Sequence, residues 1–244
     1  MAAGYGRRLR KAGLPFMLPG VNARPAKLEL YRRPEVAADY DQRWRGRGGA
    51  RRQLRKQRAV AKALAALGLW PGHGRPLLDA PCGTGRLEDF FIGAGFAYVG
   101  TDLSMAMLRQ SRSGNGSDSH DGASKACADL LALPFADHAV EVSVCVRFLH
   151  LVRDPQDRIQ VLKELNRVSS HGVVLNYQHN RTLRYWNRRL RYKLGQRSTP
   201  PSQPSVAQIK EEVQQAGLDL VAWIPVHLAP GFSDKVVLAC RSKA

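Results

Sequence analysis

The stretch from residue 77 to residue 102 limits the possible folds of this 244-residue chain more than any other. An apolar run at 77–78 leads into the turn 79–85, which reads DAPCGTG, and a helical pattern follows. Glycines permit a tight turn and allow a ligand to reach the main-chain amides at a helix start. This succession of strand, glycine turn and helix is typical of α/β proteins that bind a ligand beside the sheet.

A second acidic residue strengthens this interpretation. Asp102 ends the next apolar run, 23 residues after Asp79. In a doubly wound sheet this spacing places a carboxylate at the end of the neighbouring strand, where it can accept hydrogen bonds from both hydroxyls of a ribose. The two features together predict a cofactor that contains a nucleoside, bound at the carboxyl ends of the strands.

From residue 77 onward, short apolar runs alternate with helical patterns, which predicts an α/β fold with a doubly wound, mostly parallel sheet. The expected strands are 77–80, 98–101, 126–128, 140–146, 173–177, 220–225 and 236–240. The expected helices are 105–111, 155–168 and 206–216. Ser104, Asp154 and Ser205 are the predicted caps of these helices, because their side-chain oxygens can accept hydrogen bonds from first-turn amides.

Two common nucleotide-binding motifs are absent from the glycine turn. A dinucleotide fingerprint requires G-x-G-x-x-G, but Glu88 occupies the third glycine position and is a poor neighbour for a pyrophosphate. A Walker loop requires Gly-Lys-Ser or Gly-Lys-Thr, which the chain lacks. We therefore expect neither a dinucleotide nor a nucleoside triphosphate.

These residues resemble the class I S-adenosylmethionine-dependent methyltransferases, in particular the type 11 small-molecule branch, which is similar to the quinone-biosynthesis methyltransferases. The resemblance covers residues 77–178 well and the C-terminal strands more loosely. It implies a methyltransferase, a Rossmann-like fold of seven strands with the last one antiparallel, and S-adenosylmethionine as cofactor. The implied cofactor-binding residues are Tyr40, Asp79, Ala80, Cys82, Gly83, Gly85, Asp102, Leu103, Asp129 and Leu130.

The resemblance assigns parts of the cofactor to these residues. The glycine turn after Asp79 holds the methionine part, Asp102 binds the ribose, and the segment 129–130 contacts the adenine. Tyr40 belongs to a short aromatic segment that closes over the cofactor.

The resemblance also implies that the acceptor binds beside residues that follow the fourth strand and beneath the basic insert, and residues after the fifth strand are expected to border the same pocket. The predicted pocket residues are Arg147, Phe148, Tyr177 and Trp186. His150 is the candidate catalytic base, because an imidazole titrates near neutral pH and can remove a proton from an acceptor hydroxyl. A loop histidine bonded to the backbone is the alternative. No metal site is predicted, since the chain has no H-x3-H or C-x-x-C pair.

Asp-Ala-Pro-Cys also occurs around the nucleophilic cysteine of RNA cytosine-5 methyltransferases. That family places the motif after its fourth strand, whereas here it follows the first strand and precedes the ribose acid. We therefore interpret Cys82 as a loop residue.

The positive charge of the chain is concentrated in two blocks. Residues 1–76 hold 18 basic and 4 acidic side chains, a net charge of +14, and residues 177–199 hold 7 basic and no acidic ones. In the second block Leu183, Trp186, Leu190 and Leu194 recur at helical spacing among the arginines. A basic amphipathic helix of this kind suits an anionic membrane surface. We expect a lid that contacts the membrane peripherally and admits a lipid-like or other small-molecule acceptor.

Other interpretations remain open at this stage. The apolar stripe of the insert can pack on the domain while its arginines are solvated. The basic blocks also suit RNA phosphates, although the segment 144–148 lacks the Asn/Asp-Pro-Pro-Tyr/Phe motif of enzymes that methylate exocyclic base amines. A cofactor-binding protein without catalysis is disfavoured, because the cofactor motifs are intact. The basic N-terminus also allows a targeting segment, but Pro15 and Pro19 interrupt any long helix there.

Four segments are predicted. They are a basic, partly helical N-terminal extension at 1–60, the cofactor-binding core at 61–178, the basic insert at 179–204, and a C-terminal helix with two strands at 205–244. No apolar run reaches the roughly 18–20 residues that a membrane-spanning helix needs. The four cysteines are widely spaced and typical of reduced thiols. We expect a cytoplasmic protein whose insert can contact the cytoplasmic face of a membrane.

Overall fold

The structure, a computed structural model, describes residues 35–36, 46–111, 123–227 and 233–243. Its helices are α1 (Arg47–Ala66), α2 (Glu88–Gly93), α3 (Met105–Arg109), α4 (Pro155–Val168), α5 (Leu183–Lys193) and α6 (Val206–Gln215), and a 3₁₀ turn spans Leu149–Leu151. Its strands are β1 (Pro76–Asp79), β2 (Ala97–Asp102), β3 (Ser124–Cys127), β4 (Val140–Cys145), β5 (Ser169–Gln178), β6 (Leu218–Pro225) and β7 (Lys235–Ser242).

The strands form one seven-stranded sheet in the order β3-β2-β1-β4-β5-β7-β6. The first five strands pair in parallel, whereas β7 is antiparallel to both of its neighbours. The predicted doubly wound α/β sheet with an antiparallel last strand is thus confirmed. The strand order reverses between β1 and β4, and sheets of this kind bind ligands outside the carboxyl ends of the strands at that point.

Helices bury apolar side chains on both faces of the sheet. On one face α1 contributes Val60 and Leu64, which share a side of the helix because they are four residues apart. On the other face α4 and α6 contribute Leu162, Leu165 and Ile209. Since α1 continues across residue 60, the structure draws no boundary between extension and core at that position.

The three predicted caps are present. Ser104, Asp154 and Ser205 each accept a hydrogen bond from a first-turn amide of α3, α4 and α6. The bounds of α4 agree with the prediction, whereas α3 ends two residues earlier than the expected residue 111. Among the described helices, none combines the length and the apolar composition needed to cross a bilayer.

The strand β5 is longer than expected and begins at Ser169, directly after α4. Its first residues are polar, so an apolar pattern does not reveal them. Ser169 is nevertheless buried, because its hydroxyl donates to the carbonyl of Leu165 at 2.7 Å and lies 2.7 Å from the Ser143 hydroxyl on β4. Such internal hydrogen bonds allow a polar residue to occupy a core strand.

Candidate cofactor and acceptor site

Asp79 ends β1 in a buried position beneath the glycine turn. The Tyr98 hydroxyl donates a hydrogen bond to its Oδ2 at 3.2 Å. Burial raises the pKa of the Asp79 carboxyl to about 8, although the hydrogen bond from Tyr98 and the positive charge of Arg147 act in the opposite direction. At neutral pH this carboxyl therefore holds a proton that a nearby cation would displace.

Asp102 ends β2 and joins that strand to the glycine turn. Its Oδ2 accepts a hydrogen bond from the amide of Gly83 at 2.9 Å, and its Oδ1 accepts one from the amide of Ser104 at 2.8 Å. Each carboxylate oxygen can accept a further hydrogen bond. Burial raises the pKa of Asp102, while the two amides favour the ionised form. The geometry allows this side chain to orient the turn and to accept ribose hydroxyls at the same time.

The turn needs glycine for two different reasons. Gly83 and Gly85 have φ angles of 60° and 71°, in the left-handed region that favours glycine. A Cβ atom on Gly85 would also collide with the carboxylate of Glu88, whereas one on Gly83 would meet nothing within 4 Å. The space over Gly83 is therefore open to a ligand.

Asp129 follows β3 and brings a third carboxylate to the same edge of the sheet. Its Oδ1 accepts a hydrogen bond from the amide of Leu131 at 3.2 Å, and Leu130 beside it is buried. Asp79, Asp102 and Asp129 thus follow three neighbouring strands, β1, β2 and β3. The structure brings these sequence-predicted residues together, with Ala80, Cys82 and Leu103 in the adjoining turns.

Cys82 has the properties of a packed loop residue. Its side chain is buried. Burial, followed by the negative charges of Asp79 and Asp102, raises the pKa of the thiol well above its ordinary value. A covalent nucleophile requires the thiolate, which this environment disfavours.

The residues predicted for the acceptor pocket do not all lie together. Arg147 lies two residues after the end of β4 with a φ of 67°, and its Nη2 donates to the Gln53 Oε1 on α1 at 2.6 Å. Phe148 is half-buried against the core, and His150 is exposed in the 3₁₀ turn.

Tyr177 and Trp186 occupy different surroundings, and their assignment to the pocket stays a prediction. The Tyr177 hydroxyl is buried on the α4 and α6 face, where it donates to Glu212 at 2.9 Å. Successive side chains of a strand point to opposite faces, so Asn176 occupies the α1 face instead. Trp186 is 59% exposed on α5, and the Arg189 guanidinium lies 5.5 Å from the centre of its ring. Tyr40 lies outside the described residues.

Sequence reasoning missed the contribution of α1 to this edge of the sheet. Lys56 is buried, and its ammonium donates to the Asn176 Oδ1 at 2.6 Å. A signal was available, because Lys56 is in helical register with the apolar residues Val60 and Leu64. A lysine within the buried stripe of an amphipathic helix indicates a special environment.

Comparisons with known proteins agree with this arrangement. Residues 77–172 match a family model described as a methyltransferase domain. A malonyl-[acyl-carrier protein] O-methyltransferase of Pseudescherichia vulneris is 33% identical over 111 residues, which are 43% of this chain and 40% of that protein. The chain therefore matches less than half of that relative's length.

Solved structures show the same fold at low sequence identity. The magnesium protoporphyrin IX methyltransferase of Synechocystis PCC 6803 with bound S-adenosylhomocysteine has a TM-score of 0.68 and 17% identity, over 89% of this chain and 98% of that chain. The same enzyme with bound S-adenosylmethionine has a TM-score of 0.67 and 15% identity, over 93% of this chain and 100% of that chain.

The described residues fit S-adenosylmethionine, which carries a sulfonium, an ammonium, a carboxylate and two ribose hydroxyls. A buried carboxyl suits the cations, Asp102 retains acceptor capacity for hydroxyls, and the turn is open over Gly83. The sheet and its acidic strand ends define the class of fold as that of Rossmann-like methyltransferases. The chain contains a class I S-adenosylmethionine-dependent methyltransferase domain, and S-adenosylmethionine is the cofactor of that class.

Proposed function

We propose that this chain transfers a methyl group from S-adenosylmethionine to a small-molecule or lipid-like acceptor by in-line displacement. The observation that carries the proposal is the clustering of Asp79, Asp102 and Asp129 at the ends of β1, β2 and β3. This clustering supports placing the cofactor at one half of the sheet edge. The ends of β4 and β5, with the start of β7, are left for the acceptor.

The bound cofactor supplies an electrophilic methyl group, which the acceptor nucleophile attacks while the electron pair of the carbon–sulfur bond goes to sulfur. Asp79 is proposed to face the cationic groups and Asp102 to orient the ribose. Alignment of the two reactants can lower the barrier by about 7–11 kcal/mol. His150 is the proposed base where the acceptor nucleophile carries a proton, since it is exposed in the turn after β4.

Binding of the cofactor is tested first. We expect Asp102→Ala to weaken S-adenosylmethionine binding at least tenfold in isothermal titration calorimetry, because the ribose loses its acceptor and the glycine turn loses a tether. Asp137→Ala is a matched control, since Asp137 is an exposed carboxylate away from the strand ends. Unchanged affinity in Asp102→Ala would remove the ribose assignment.

Methyl transfer itself is tested by comparing lipids and metabolites of cells with and without the protein for products that gain one methyl mass.

The membrane contact is proposed from the surface of α5. No residue of α5 is buried in the part of the chain that the structure describes, and Leu183, Trp186 and Leu190 are each more than half exposed. Arg184, Arg188, Arg191 and Arg197 line an open hollow beside this apolar surface. Partial burial lowers the pKa of Arg188, and the charges of Arg184 and Arg197 contribute to this shift. Anionic phospholipid headgroups would relieve the repulsion among these cations.

Vesicle sedimentation tests this contact. We expect the full chain to sediment with phosphatidylglycerol vesicles and to remain in solution with phosphatidylcholine vesicles. Trp186→Ser should reduce sedimentation, whereas the control Val221→Ser, at an exposed apolar position of β6, should not. Saturable, sequence-dependent RNA binding without vesicle association would favour an RNA methyltransferase instead.

A further inference from the structure

A buried lysine lies at the part of the sheet edge that is proposed for the acceptor. Lys56 is 6% exposed, and its ammonium donates to the Asn176 Oδ1 at 2.6 Å. The Asn176 amide nitrogen donates to the carbonyls of Val236 at 2.8 Å and Tyr177 at 3.3 Å, so its oxygen is held towards the lysine. Asn176 is neutral, and Lys56 forms no ion pair with any described residue. A buried cation without a carboxylate partner is costly unless an anion joins it.

Two further cations are held at the same edge. Gln53, three residues before Lys56 on α1, accepts hydrogen bonds from Arg147 at 2.6 Å and from Arg86 at 3.2 Å. The Gln53 amide also donates to the carbonyl of Arg86 at 2.8 Å, which fixes its orientation. One glutamine therefore positions a guanidinium on each side of the β1–β4 switch point.

Lys235 adds a cation from β7, where it pairs in register with Gln178 of β5. The charges of Arg147 and Lys235 both lower the pKa of Lys56, in addition to the larger effect of burial, so all three lie within electrostatic reach of one another. The opposing negative charge comes from Asp234. Arg184 lies 3.8 Å from the Asp234 carboxylate and offsets part of its negative charge. The net charge of these side chains is therefore positive.

Lys56 and Lys235 lie away from the nucleoside half of the site, whereas Arg147 is within electrostatic reach of both Lys56 and Asp79. Lys56, Asn176 and Lys235 lie near β5 and β7, whereas Asp102 and Asp129 follow β2 and β3. An anion bound there would be next to the position where the acceptor must approach the methyl group.

We propose that Lys56, Arg147 and Lys235 bind an anionic oxygen group, a carboxylate or a phosphate, of the methyl acceptor. This inference rests on the proposed methyl transfer and narrows its acceptor to anionic molecules. The same chemistry is also present in the carboxylate of the cofactor, so the test separates the two sources by saturating the cofactor site first.

The experiment uses the full chain saturated with S-adenosylhomocysteine and measures binding of malonate and of inorganic phosphate by calorimetry. We expect at least one of these anions to bind, and neutral malonamide to fail. Lys56→Met should weaken anion binding at least tenfold while changing S-adenosylhomocysteine affinity less than twofold. Lys62→Met is the matched control, because Lys62 is exposed on the same helix.

Lys235→Gln is a second variant, at a half-buried strand end, and should weaken anion binding at least threefold without disturbing α1. Anion binding that is unchanged in both variants would overturn the proposal. Loss of S-adenosylhomocysteine affinity in Lys56→Met would overturn it too, and would assign the cations to the cofactor carboxylate. If the wild-type chain binds no S-adenosylhomocysteine at all, the proposed function fails separately.

Discussion

Asp79 ends β1 in a buried position, and this burial raises the pKa of its carboxyl to about 8. In the unfolded chain the same group titrates near its ordinary pKa of about 4. The folded protein therefore binds a proton that the unfolded chain releases between these two values. The contribution of this protonated carboxyl to the free energy of unfolding is fully present below the pKa of the unfolded chain. It is lost as the pH rises through the folded pKa of about 8.

We predict that this proton controls cofactor binding. A sulfonium or ammonium near Asp79 favours the ionised carboxylate, so binding at pH 7 should release a proton. Affinity for S-adenosylmethionine should rise by up to about tenfold per pH unit below pH 8 and then level off. Calorimetry in buffers of different ionisation enthalpy measures the released proton.

Two variants test the origin of this pH dependence. Asp79→Asn should abolish it. Tyr98→Phe should move the inflection to higher pH, because the hydrogen bond from Tyr98 favours the ionised form. Affinity that is independent of pH in the wild-type chain would contradict the assignment.

Lys56 allows a second test of pH dependence, in which affinity falls rather than rises with pH. Burial lowers the pKa of its ammonium well below the ordinary value. The charged form that attracts an anion is therefore lost at a lower pH than for an exposed lysine. We predict that malonate affinity of the S-adenosylhomocysteine-loaded chain falls as the pH rises through this lowered pKa. Lys56→Arg should keep the affinity to higher pH, since a guanidinium stays protonated; an identical pH profile for the two proteins would exclude Lys56 as the titrating group.

Some residues of the candidate site could be predicted from the sequence and others could not. Asp79 and Asp102 were predictable, because each combines an apolar run with a terminal acid at fixed spacing. The distinction between Asn176 and Tyr177 was not, since it depends on which face of β5 each side chain occupies. The two residues are adjacent in sequence, yet one contacts α1 and the other contacts α6. The alternation of side chains along a strand places the two residues on opposite faces of the sheet, but it does not identify the face that lies beside the acceptor.

At the scale of elements, one buried ion pair fastens α6 to α4. Arg158 of α4 donates from Nε to the Glu212 Oε2 at 2.9 Å and from Nη2 to Oε1. Its Nη1 donates to the carbonyls of Val152 and Arg153, which precede α4, and the Tyr177 hydroxyl completes the network from β5. Because both charged side chains are almost fully buried, removal of one leaves the other without a partner.

We predict that Glu212→Gln lowers the free energy of unfolding by about 3–5 kcal/mol, since it leaves a buried guanidinium uncompensated. Tyr177→Phe should cost about 1 kcal/mol, the typical value of one hydrogen bond. The control Glu211→Gln alters an exposed carboxylate on the same helix and should stay within about 0.5 kcal/mol. Urea unfolding measures all three values. Equal stability of Glu212→Gln and Glu211→Gln would show that the pair does not hold α6.

The elements themselves were largely predictable. Each of the seven expected strands overlaps a strand of the structure, although β3 and β5 begin earlier, at polar residues. The bounds of α4 are as predicted, because a capping aspartate and an N-terminal proline define its start. The role of α1 as a core helix was not predicted, since its basic composition resembles a solvated extension and outweighs the register of Lys56 with Val60 and Leu64. In the structure this helix lies against the sheet and buries Ala59, Val60 and Ala63.

At the scale of the whole molecule, the net charge of +18 is distributed unevenly. The cofactor half of the sheet edge carries acidic strand ends, whereas α5 and the N-terminal half of α1 carry arginines. A cationic cofactor and the proposed anionic acceptor or surface would therefore meet opposite charges at neighbouring sites. This separation favours approach of each partner to its own side.

This distribution makes a quantitative prediction about the membrane contact. If the arginines around the hollow carry the attraction, association with phosphatidylglycerol vesicles should fall steeply as ionic strength rises, because screening shortens the range of surface charges to about 8 Å at physiological salt. Arg188→Gln with Arg191→Gln should weaken association at low salt and flatten its salt dependence, whereas the control Arg153→Gln, an exposed arginine before α4, should change neither. Trp186→Ser should weaken association at every salt concentration without changing the slope, since it removes apolar insertion and leaves the charge intact. Sedimentation across a salt series separates the two contributions, and a binding curve insensitive to salt in the wild-type chain would show that the arginines are solvated rather than bound to headgroups.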